Sequence, residues 1–195
     1  MNIAVDIDDT LTDSFAYLQP FVAAYFGADA AELRRQGISY SNLPPAWRAQ
    51  ETAFGKACYD RVVPDIPFKP GAAAAIARLR ALGHRIVIIT GRTTDFYTDP
   101  YRTTAQQLKN GGIVYDALLY TLDKAAACLA QHIDVLIDDL PANCAAVQKV
   151  GIRAMLFDSP ANRGQSDGLP HVSDWPQAVE ALLQPAKAAG DACGN

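Results

Sequence analysis

Residues 2–14 read Asn-Ile-Ala-Val-Asp-Ile-Asp-Asp-Thr-Leu-Thr-Asp-Ser, an apolar run that passes directly into a cluster of carboxylates. The lead-in Ile3-Ala4-Val5 predicts a buried strand, and Leu11 and Phe15 indicate that a helix follows. Carboxylates packed a few ångströms apart repel each other and lose hydration, so they are costly without a counter-charge. A divalent cation that prefers oxygen ligands, Mg²⁺ above all, is the simplest counter-charge. The alternative is an Asp-rich surface turn, which the flanking apolar residues disfavour.

The bulk composition is that of one globular domain, or one core with an insertion. Half of the 195 residues are apolar or aromatic, which excludes a disordered chain. The net charge of −4 argues against binding a nucleic-acid polymer through a basic face. No stretch reaches the ~18 consecutive apolar residues of a membrane span, and no secretory signal pattern is present. The four cysteines lack metal-ligand spacing. We therefore expect a cytoplasmic protein without disulfides.

Apolar, β-branched runs alternate with helical patterns along most of the chain. Further strands are predicted at 85–90, 115–120, 133–137 and 152–157, and helices at 72–81, 103–109, 123–130, 141–150 and 175–183. The strands are too apolar to be exposed on one face, which is typical of a parallel sheet covered by helices on both faces. The fold class is therefore predicted as α/β, with a three-layer, Rossmann-like parallel sheet core.

Residues 14–69 interrupt this alternation, because they are rich in aromatic residues and helix-forming stretches but contain no convincing strand. We interpret them as a small helical cap inserted after the first strand. The core then comprises residues 1–13 and 70–184, and the Ala/Gly-rich residues 185–195 are expected to form a flexible tail.

Polar side chains follow most strands of the predicted sheet. Asp6 and Asp8 end the first strand and, being two residues apart, point to the same side. Thr90-Gly91-Arg92 ends the second, Asp138-Asp139 ends the fourth, and Lys124 begins the helix between the third and fourth strands. Because ligands of open parallel sheets bind beyond the carboxyl ends of the strands, these groups are expected to form one site.

The chemistry of this set favours phosphoryl transfer. One carboxylate can attack phosphorus and form an aspartyl-phosphate. A second can protonate the leaving oxygen and then deprotonate the hydrolytic water. A hydroxyl and an ammonium can bind the phosphoryl oxygens, while Mg²⁺ neutralises their charge. Phosphate monoesters need such combined assistance, since their enzymatic acceleration reaches about 10²¹-fold.

The four elements resemble the motifs of haloacid dehalogenase-type (HAD) phosphohydrolases: DxDx[TV], a hydroxyl after the second strand, a lysine and an acidic pair. The resemblance implies that Asp6 is the nucleophile and a metal ligand. It makes Asp8 the general acid/base, with its backbone carbonyl also contacting Mg²⁺. Thr90 and Lys124 would hold the phosphoryl group, so that Asp6, Asp8, Thr90 and Lys124 form the predicted catalytic set.

The acidic pair aligns with the last motif of that superfamily, which often reads GDxxxD. Asp138 falls on the Gly, Asp139 on the first Asp and Asn143 on the last position. The resemblance therefore implies Asp139 as the direct metal ligand beside Asp6 and Asp8, with Asp138 and Asn143 in support.

Within the superfamily, residues 1–183 are similar to 5′(3′)-deoxyribonucleotidases and related bacterial nucleotidases. The similarity rests on the chain length, an insertion of the C1 cap type, Ile-Thr-Gly-Arg, Ile-Asp-Asp, and Phe-Asp-Ser-Pro-Ala-Asn at 157–162. It implies a nucleoside monophosphate as the substrate. That family tends toward an aromatic residue where Ala161 stands here.

Gly91 and Arg92 complete the predicted substrate-binding set with Thr90 and Lys124. Arg92 is expected to reach a substrate phosphate or ribose, since its guanidinium suits both; the alternative is a solvent-facing loop charge. Among the cap aromatics, Tyr40 and Trp47 are the better candidates to stack on a base.

Other functions remain open at this point: a phosphatase for another small metabolite, a phosphomutase, a phosphorylatable receiver-like module, or an inactive binding protein. Asp8 favours a phosphatase or a mutase, because a dehalogenase needs no acid at that position. Receiver domains carry the phosphorylated Asp after a middle strand and have no cap of this size. A zinc site is disfavoured because no residues have the spacing of zinc ligands. Dinucleotide binding is disfavoured because no cluster of glycines follows the first strand. The oligomeric state is not predicted.

Overall fold

The computed structural model of the protein describes residues 1–165 and 168–184, and its core is a parallel sheet of six strands. The strands are β1 Asn2–Val5, β2 Arg85–Thr90, β3 Ala117–Tyr120, β4 Val135–Asp138, β5 Arg153–Phe157 and β6 His171–Val172. They lie in the order β3-β2-β1-β4-β5-β6. Every paired register is parallel. β1 therefore lies in the middle, between β2 and β4.

Nine α-helices are found in the described residues: α1 Ser14–Phe26, α2 Ala30–Gln36, α3 Pro45–Arg48, α4 Glu51–Val62, α5 Ala72–Ala81, α6 Pro100–Asn110, α7 Lys124–Ala130, α8 Pro141–Lys149 and α9 Trp175–Leu183. A short 3₁₀ turn, Val63–Asp65, follows α4. Within the part of the chain described, no helix is long and apolar enough to cross a membrane.

The helices cover both faces of the sheet, which confirms the predicted three-layer α/β architecture. Ile3 and Val5 of β1 pack in one cluster with apolar residues of α5, α6 and α9. Ala4, on the opposite face of β1, packs in a second cluster with α7 and α8. Because side chains alternate along a strand, this central strand is buried on both sides and must be apolar throughout.

The segment after β1 is helical and has a hydrophobic cluster of its own. Helices α1 and α4 supply most of the buried residues of this cluster, among them Leu18, Val22 and Phe54, and Tyr97 from the loop after β2 joins them. This arrangement is compatible with the predicted cap over residues 14–69, and the exact division into cap and core stays a prediction.

Helix α4 is tied by charged side chains to the loop between β2 and α6. Lys56 Nζ donates to the backbone oxygens of Thr94 (2.5 Å) and Tyr97 (2.7 Å). One turn later, the Asp60 carboxylate accepts from the backbone N–H of Thr98 at 2.6 Å. The inserted helices are thus anchored to a loop that leaves the carboxyl end of a core strand.

Most predicted elements are found, with small shifts at their ends. Helix α6 begins at Pro100, three residues before the predicted start, because the Asp99 carboxylate caps it by accepting from the Arg102 N–H at 2.9 Å. Proline suits the first helical position, so this start agrees with known preferences. Strand β6 was not predicted, since its two residues carry no periodic pattern. The predicted tail at 185–195 lies outside the described residues.

Candidate active site

The site is built on the carboxyl ends of adjacent strands. Asp6 immediately follows β1, and its backbone N–H donates to the Ile137 oxygen of β4 at 3.0 Å. This hydrogen bond continues the pairing of the two strands by one residue, so the residues after β1 and at the end of β4 are brought side by side. The parallel topology therefore assembles residues that are about 130 positions apart in sequence.

Asp6, Asp138 and Asp139 form a buried acidic cluster. Each can offer one carboxylate oxygen such that all three atoms lie within 4.8 Å of one another. Lys124 lies at the base of the cluster, where its Nζ donates to Asp6 Oδ1 and, at 2.6 Å, to Asp138 Oδ2. With every group ionised, three carboxylates and one ammonium leave two negative charges in excess.

Burial controls the ionisation of these groups. Burial, together with the nearby carboxylates of Asp138 and Asp8, raises the pKa of Asp6 to about 7, although the Lys124 ammonium opposes this. Burial and then the charge of Asp6 raise the pKa of Asp139 well above its ordinary value. Burial disfavours the Lys124 ammonium, but Asp6 and Asp138 outweigh it and raise the pKa of Lys124.

The two carboxylates of the acidic pair have different surroundings. Asp138 binds Lys124 and also accepts from the Leu140 N–H at 2.8 Å and from the Asn143 amide at 3.1 Å and 3.2 Å. Among the described residues, no positively charged side chain lies within ion-pair distance of Asp139. A buried carboxylate without a cationic partner, in a cluster with a net excess of two negative charges, fits a hard divalent cation with oxygen ligands. The donor set therefore suits Mg²⁺.

Asp8 points into the same cavity but is held by a different partner. Arg92 Nε donates to Asp8 Oδ2 at 2.9 Å and Arg92 Nη2 donates to Asp8 Oδ1 at 2.8 Å, a bidentate ion pair. Ser14 Oγ adds a bond to Oδ1 at 2.9 Å. Burial opposes ionisation of Asp8, but Arg92 and Ser14 outweigh it and hold the pKa of Asp8 below its ordinary value. The Arg92 side chain is only 3% exposed, so it is not a solvent-facing loop charge.

Asp9 connects the turn after β1 to the inserted helices. Its φ is +60°, a conformation that few non-glycine residues adopt. One carboxylate oxygen accepts from the Phe15 N–H at 2.7 Å, which helps to start α1, and the other accepts from Tyr40 O–H at 2.9 Å. Burial raises the pKa of Asp9 to about 6.

Asn162 links the loops that follow β4 and β5. Its amide donates to the backbone oxygens of Asp139 (2.7 Å) and Phe157 (2.8 Å), and its side-chain oxygen accepts from the Ser159 N–H at 3.0 Å. The Phe-Asp-Ser-Pro-Ala-Asn segment thus holds the backbone at Asp139. Ala161, at the position where the resemblance expects an aromatic residue, lines the cavity.

A cavity of about 590 Å³ opens above the acidic cluster. Its lining brings together most residues of the predicted site: Asp6, Asp8, Gly91, Arg92, Lys124, Asp138, Asp139 and Asn143. Thr90 is buried at the end of β2 and is not among the lining residues. Tyr40 lines the cavity, whereas Trp47 stacks on Phe26 inside the helical segment, with ring centroids 4.6 Å apart, and lies outside the lining.

Several lining residues were not singled out from the sequence. They include the aromatic residues Tyr59, Phe96 and Tyr97 and the polar residues Glu51 and Gln165. Phe96 and Tyr97 lie in the loop after β2, so the search for residues beyond strand ends would have found them if it had extended past Arg92. Tyr59 lies within α4, and no local pattern separates it from the residues that form the cluster between the helices.

Comparison with known proteins agrees with this geometry. Residues 1–189 match the family model described as 5′ nucleotidase, deoxy (Pyrimidine), cytosolic type C protein. A phosphoglycolate phosphatase of Cereibacter sphaeroides is 28% identical over 116 residues, which cover 52% of this chain and 50% of that protein. The chain thus spans about half the length of this curated relative.

Two solved structures share the fold. A haloacid dehalogenase-like hydrolase from Streptococcus pneumoniae has a TM-score of 0.67 at 16% identity, covering 94% of this chain and 98% of that one. A HAD family hydrolase from Deinococcus radiodurans R1, with bound phosphate and sodium, has a TM-score of 0.63 at 14% identity, covering 93% and 94%. The family-model match covers almost the whole sequence, and the chain therefore belongs to the cytosolic type C 5′ (deoxy)nucleotidase family of HAD-like proteins.

Proposed function

We propose that the protein is a Mg²⁺-dependent phosphomonoester hydrolase that acts on a nucleoside monophosphate through an aspartyl-phosphate at Asp6. The observation that carries the proposal is the buried cluster of Asp6, Asp138 and Asp139 around Lys124, at the floor of a cavity large enough for a small substrate. Membership of a nucleotidase family supports the substrate class.

Each residue of the site has a distinct task in this reaction. Asp6 attacks phosphorus while the bond from phosphorus to the ester oxygen breaks, and that oxygen takes a proton from Asp8. Water then attacks the phosphorus, Asp8 accepts a proton from the water, and the Asp6 carboxylate is regenerated. Lys124 orients Asp6 and offers its charge to the phosphoryl oxygens, and Thr90 is proposed to support the phosphoryl group from the end of β2.

Asp6, Asp139 and the backbone carbonyl of Asp8 would hold the metal ion. When bound, Mg²⁺ offsets the charge that the carboxylates and the phosphoryl oxygens share. Asp138 and Asn143 are proposed to support this arrangement, since Asp138 accepts bonds from the Leu140 N–H and the Asn143 amide in addition to Lys124.

The test is phosphate release from a panel of nucleoside 5′- and 3′-monophosphates and p-nitrophenyl phosphate, with Mg²⁺ or with EDTA. Asp6→Asn should abolish turnover because it removes the attacking carboxylate, whereas Asp65→Asn, at an exposed position, should leave turnover unchanged. Continuous release supports a hydrolase. Phosphorylation that stops at one equivalent would support a receiver-like module, and phosphate transfer without release would support a mutase.

A phosphatase for phosphoglycolate is the second candidate, because the curated relative carries that name. Glu51 lines the cavity and would repel the carboxylate of such a substrate. We therefore expect lower kcat/KM for phosphoglycolate than for nucleoside monophosphates, and the opposite order would favour this second candidate.

A further inference from the structure

Arg92 has an unusual position for a residue expected to bind substrate. Its guanidinium lies at the cavity wall, yet its side chain is 3% exposed and its bonds are directed into the protein. Arginine has five N–H donors. Two are used on Asp8, at 2.9 Å and 2.8 Å, and two more on Gln107 Oε1 and Thr104 Oγ1, at 2.7 Å and 3.2 Å.

Two residues of α6 behind Arg92 form a support that does not reach the cavity. Thr104 and Gln107 lie on α6, are fully buried, and are not among the lining residues. The Tyr97 ring packs against the guanidinium, with 5.7 Å from Arg92 Cζ to the ring centroid. Buried polar groups of this kind restrict the guanidinium to one orientation.

The same contacts restrict the Asp8 carboxylate. Each carboxylate oxygen can accept about two hydrogen bonds. Oδ1 already accepts from Arg92 and Ser14, while Oδ2 accepts from Arg92 alone. One acceptor position on Oδ2 is thus left, on a side chain that is 24% exposed toward the cavity.

We propose that Arg92 is a positioning residue for Asp8 rather than a ligand of the substrate phosphate, and that Asp8 exchanges its proton through Oδ2. This inference rests on the proposed phosphatase function. Asp8 enters the first step protonated on Oδ2, with the proton taken from water in the preceding turnover, and passes it to the ester oxygen as the phosphorus–oxygen bond breaks. In the second step, Oδ2 takes a proton from the attacking water. The role of Arg92, Thr104 and Gln107 is to keep Oδ2 directed at that oxygen.

The dependence on the leaving group provides a readout that a structural role would not change. An alkyl oxygen, as in a nucleoside monophosphate, needs a proton to leave, whereas p-nitrophenolate leaves well without one. Because positioned acids contribute about 10²–10⁴-fold, Arg92→Gln should lower kcat/KM for the nucleotide at least ~10-fold more than for p-nitrophenyl phosphate. Arg92→Lys should show a smaller difference between the two substrates than Arg92→Gln. Arg78→Gln, at an exposed position, should show no such difference.

A double-mutant cycle separates positioning from substrate binding. If Arg92 acts through Asp8, then Arg92→Gln in an Asp8→Asn background should cause no further loss of nucleotide turnover. If Arg92 instead binds the substrate phosphate, the losses caused by Arg92→Gln and Asp8→Asn should multiply in the double variant. In Arg92→Gln alone, KM should then rise by the same factor for both substrates.

Gln107→Leu keeps the test valid if the Arg92 variants fail to fold, because it leaves the ion pair in place. It should also lower kcat/KM selectively for the substrate with the alkyl leaving group, by a smaller factor than Arg92→Gln. Equal losses for both substrates in Arg92→Gln and Gln107→Leu, with the wild type active, would overturn the positioning role alone. A wild type that releases no phosphate from any monoester would overturn the proposed function and this inference with it.

Discussion

Replacements of the two members of the acidic pair should change the stability of the metal-free protein in opposite directions. Asp139→Asn removes a buried carboxylate that has no cationic partner, so we expect the folded state to become more stable. Asp138→Asn removes an acceptor of bonds from Lys124, the Leu140 N–H and Asn143, so we expect it to become less stable.

The magnitudes follow from burial. An unpaired buried charge commonly costs several kcal/mol. Replacing the Asp139 carboxylate with the neutral amide of Asn should therefore raise the free energy of unfolding by about 2 kcal/mol at a pH where Asp139 is ionised. Losing the bonds to Asp138 should cost about 1–3 kcal/mol. For a chain of this size, each kcal/mol shifts Tm by roughly 2–4 °C. In EDTA, at a pH where Asp139 is ionised, Tm should therefore rise by about 4–8 °C for Asp139→Asn and fall by about 2–12 °C for Asp138→Asn.

Thermal unfolding by circular dichroism, with and without Mg²⁺, measures both effects. At 100 times Kd, Mg²⁺ should stabilise the wild type by about 2.7 kcal/mol, and most of this gain should be absent in Asp139→Asn. A lower Tm for Asp139→Asn in EDTA, or an unchanged Mg²⁺ effect in that variant, would refute the assignment of Asp139 as the unpaired metal ligand.

Three further results are expected. Lys124→Met should abolish turnover and lower Tm in EDTA, because Asp6 and Asp138 then face each other without a counter-charge; unaffected turnover would contradict its role. Since burial raises the folded pKa of Asp6 from 3.8 to about 7, its contribution should destabilise the metal-free protein progressively from about pH 4 to pH 7 and leave it unaffected below that range; denaturant titrations across this range measure the slope, which Mg²⁺ should flatten. Gly111→Ala should cost about 1–3 kcal/mol, because its Cβ would lie 2.1 Å from the Phe68 ring; an unchanged denaturation midpoint would show that the ring moves aside freely.

The layers of the fold and the assembly of the acidic site follow from the sequence, because both depend on local patterns. The apolar run before Asp6 and the β-branched run before Thr90 are long enough to predict strands, and parallel topology brings their ends together. The three-layer sheet was predicted on these grounds and the membership of the HAD-like family from the four motifs, and both are confirmed.

Pairing between side chains could not be predicted in the same way. The motif alignment gives Asp138 and Asp139 different roles, but only the fold reveals that Lys124 and Asn143 contact Asp138. The partnership of Arg92 with Asp8 depends equally on the position of α6 behind it. Such contacts are set by tertiary distances that no periodicity records.

The tie between α4 and the loop after β2 affects how this protein can be engineered. Arg92 is the second residue of that loop, and Lys56 and Asp60 hold later residues of it in place. Exchanging the inserted helices for those of a relative, in order to change substrate preference, would therefore also disturb the proposed proton donor, Asp8, unless Lys56 and Asp60 are retained. In this protein, selectivity and chemistry are not separable modules.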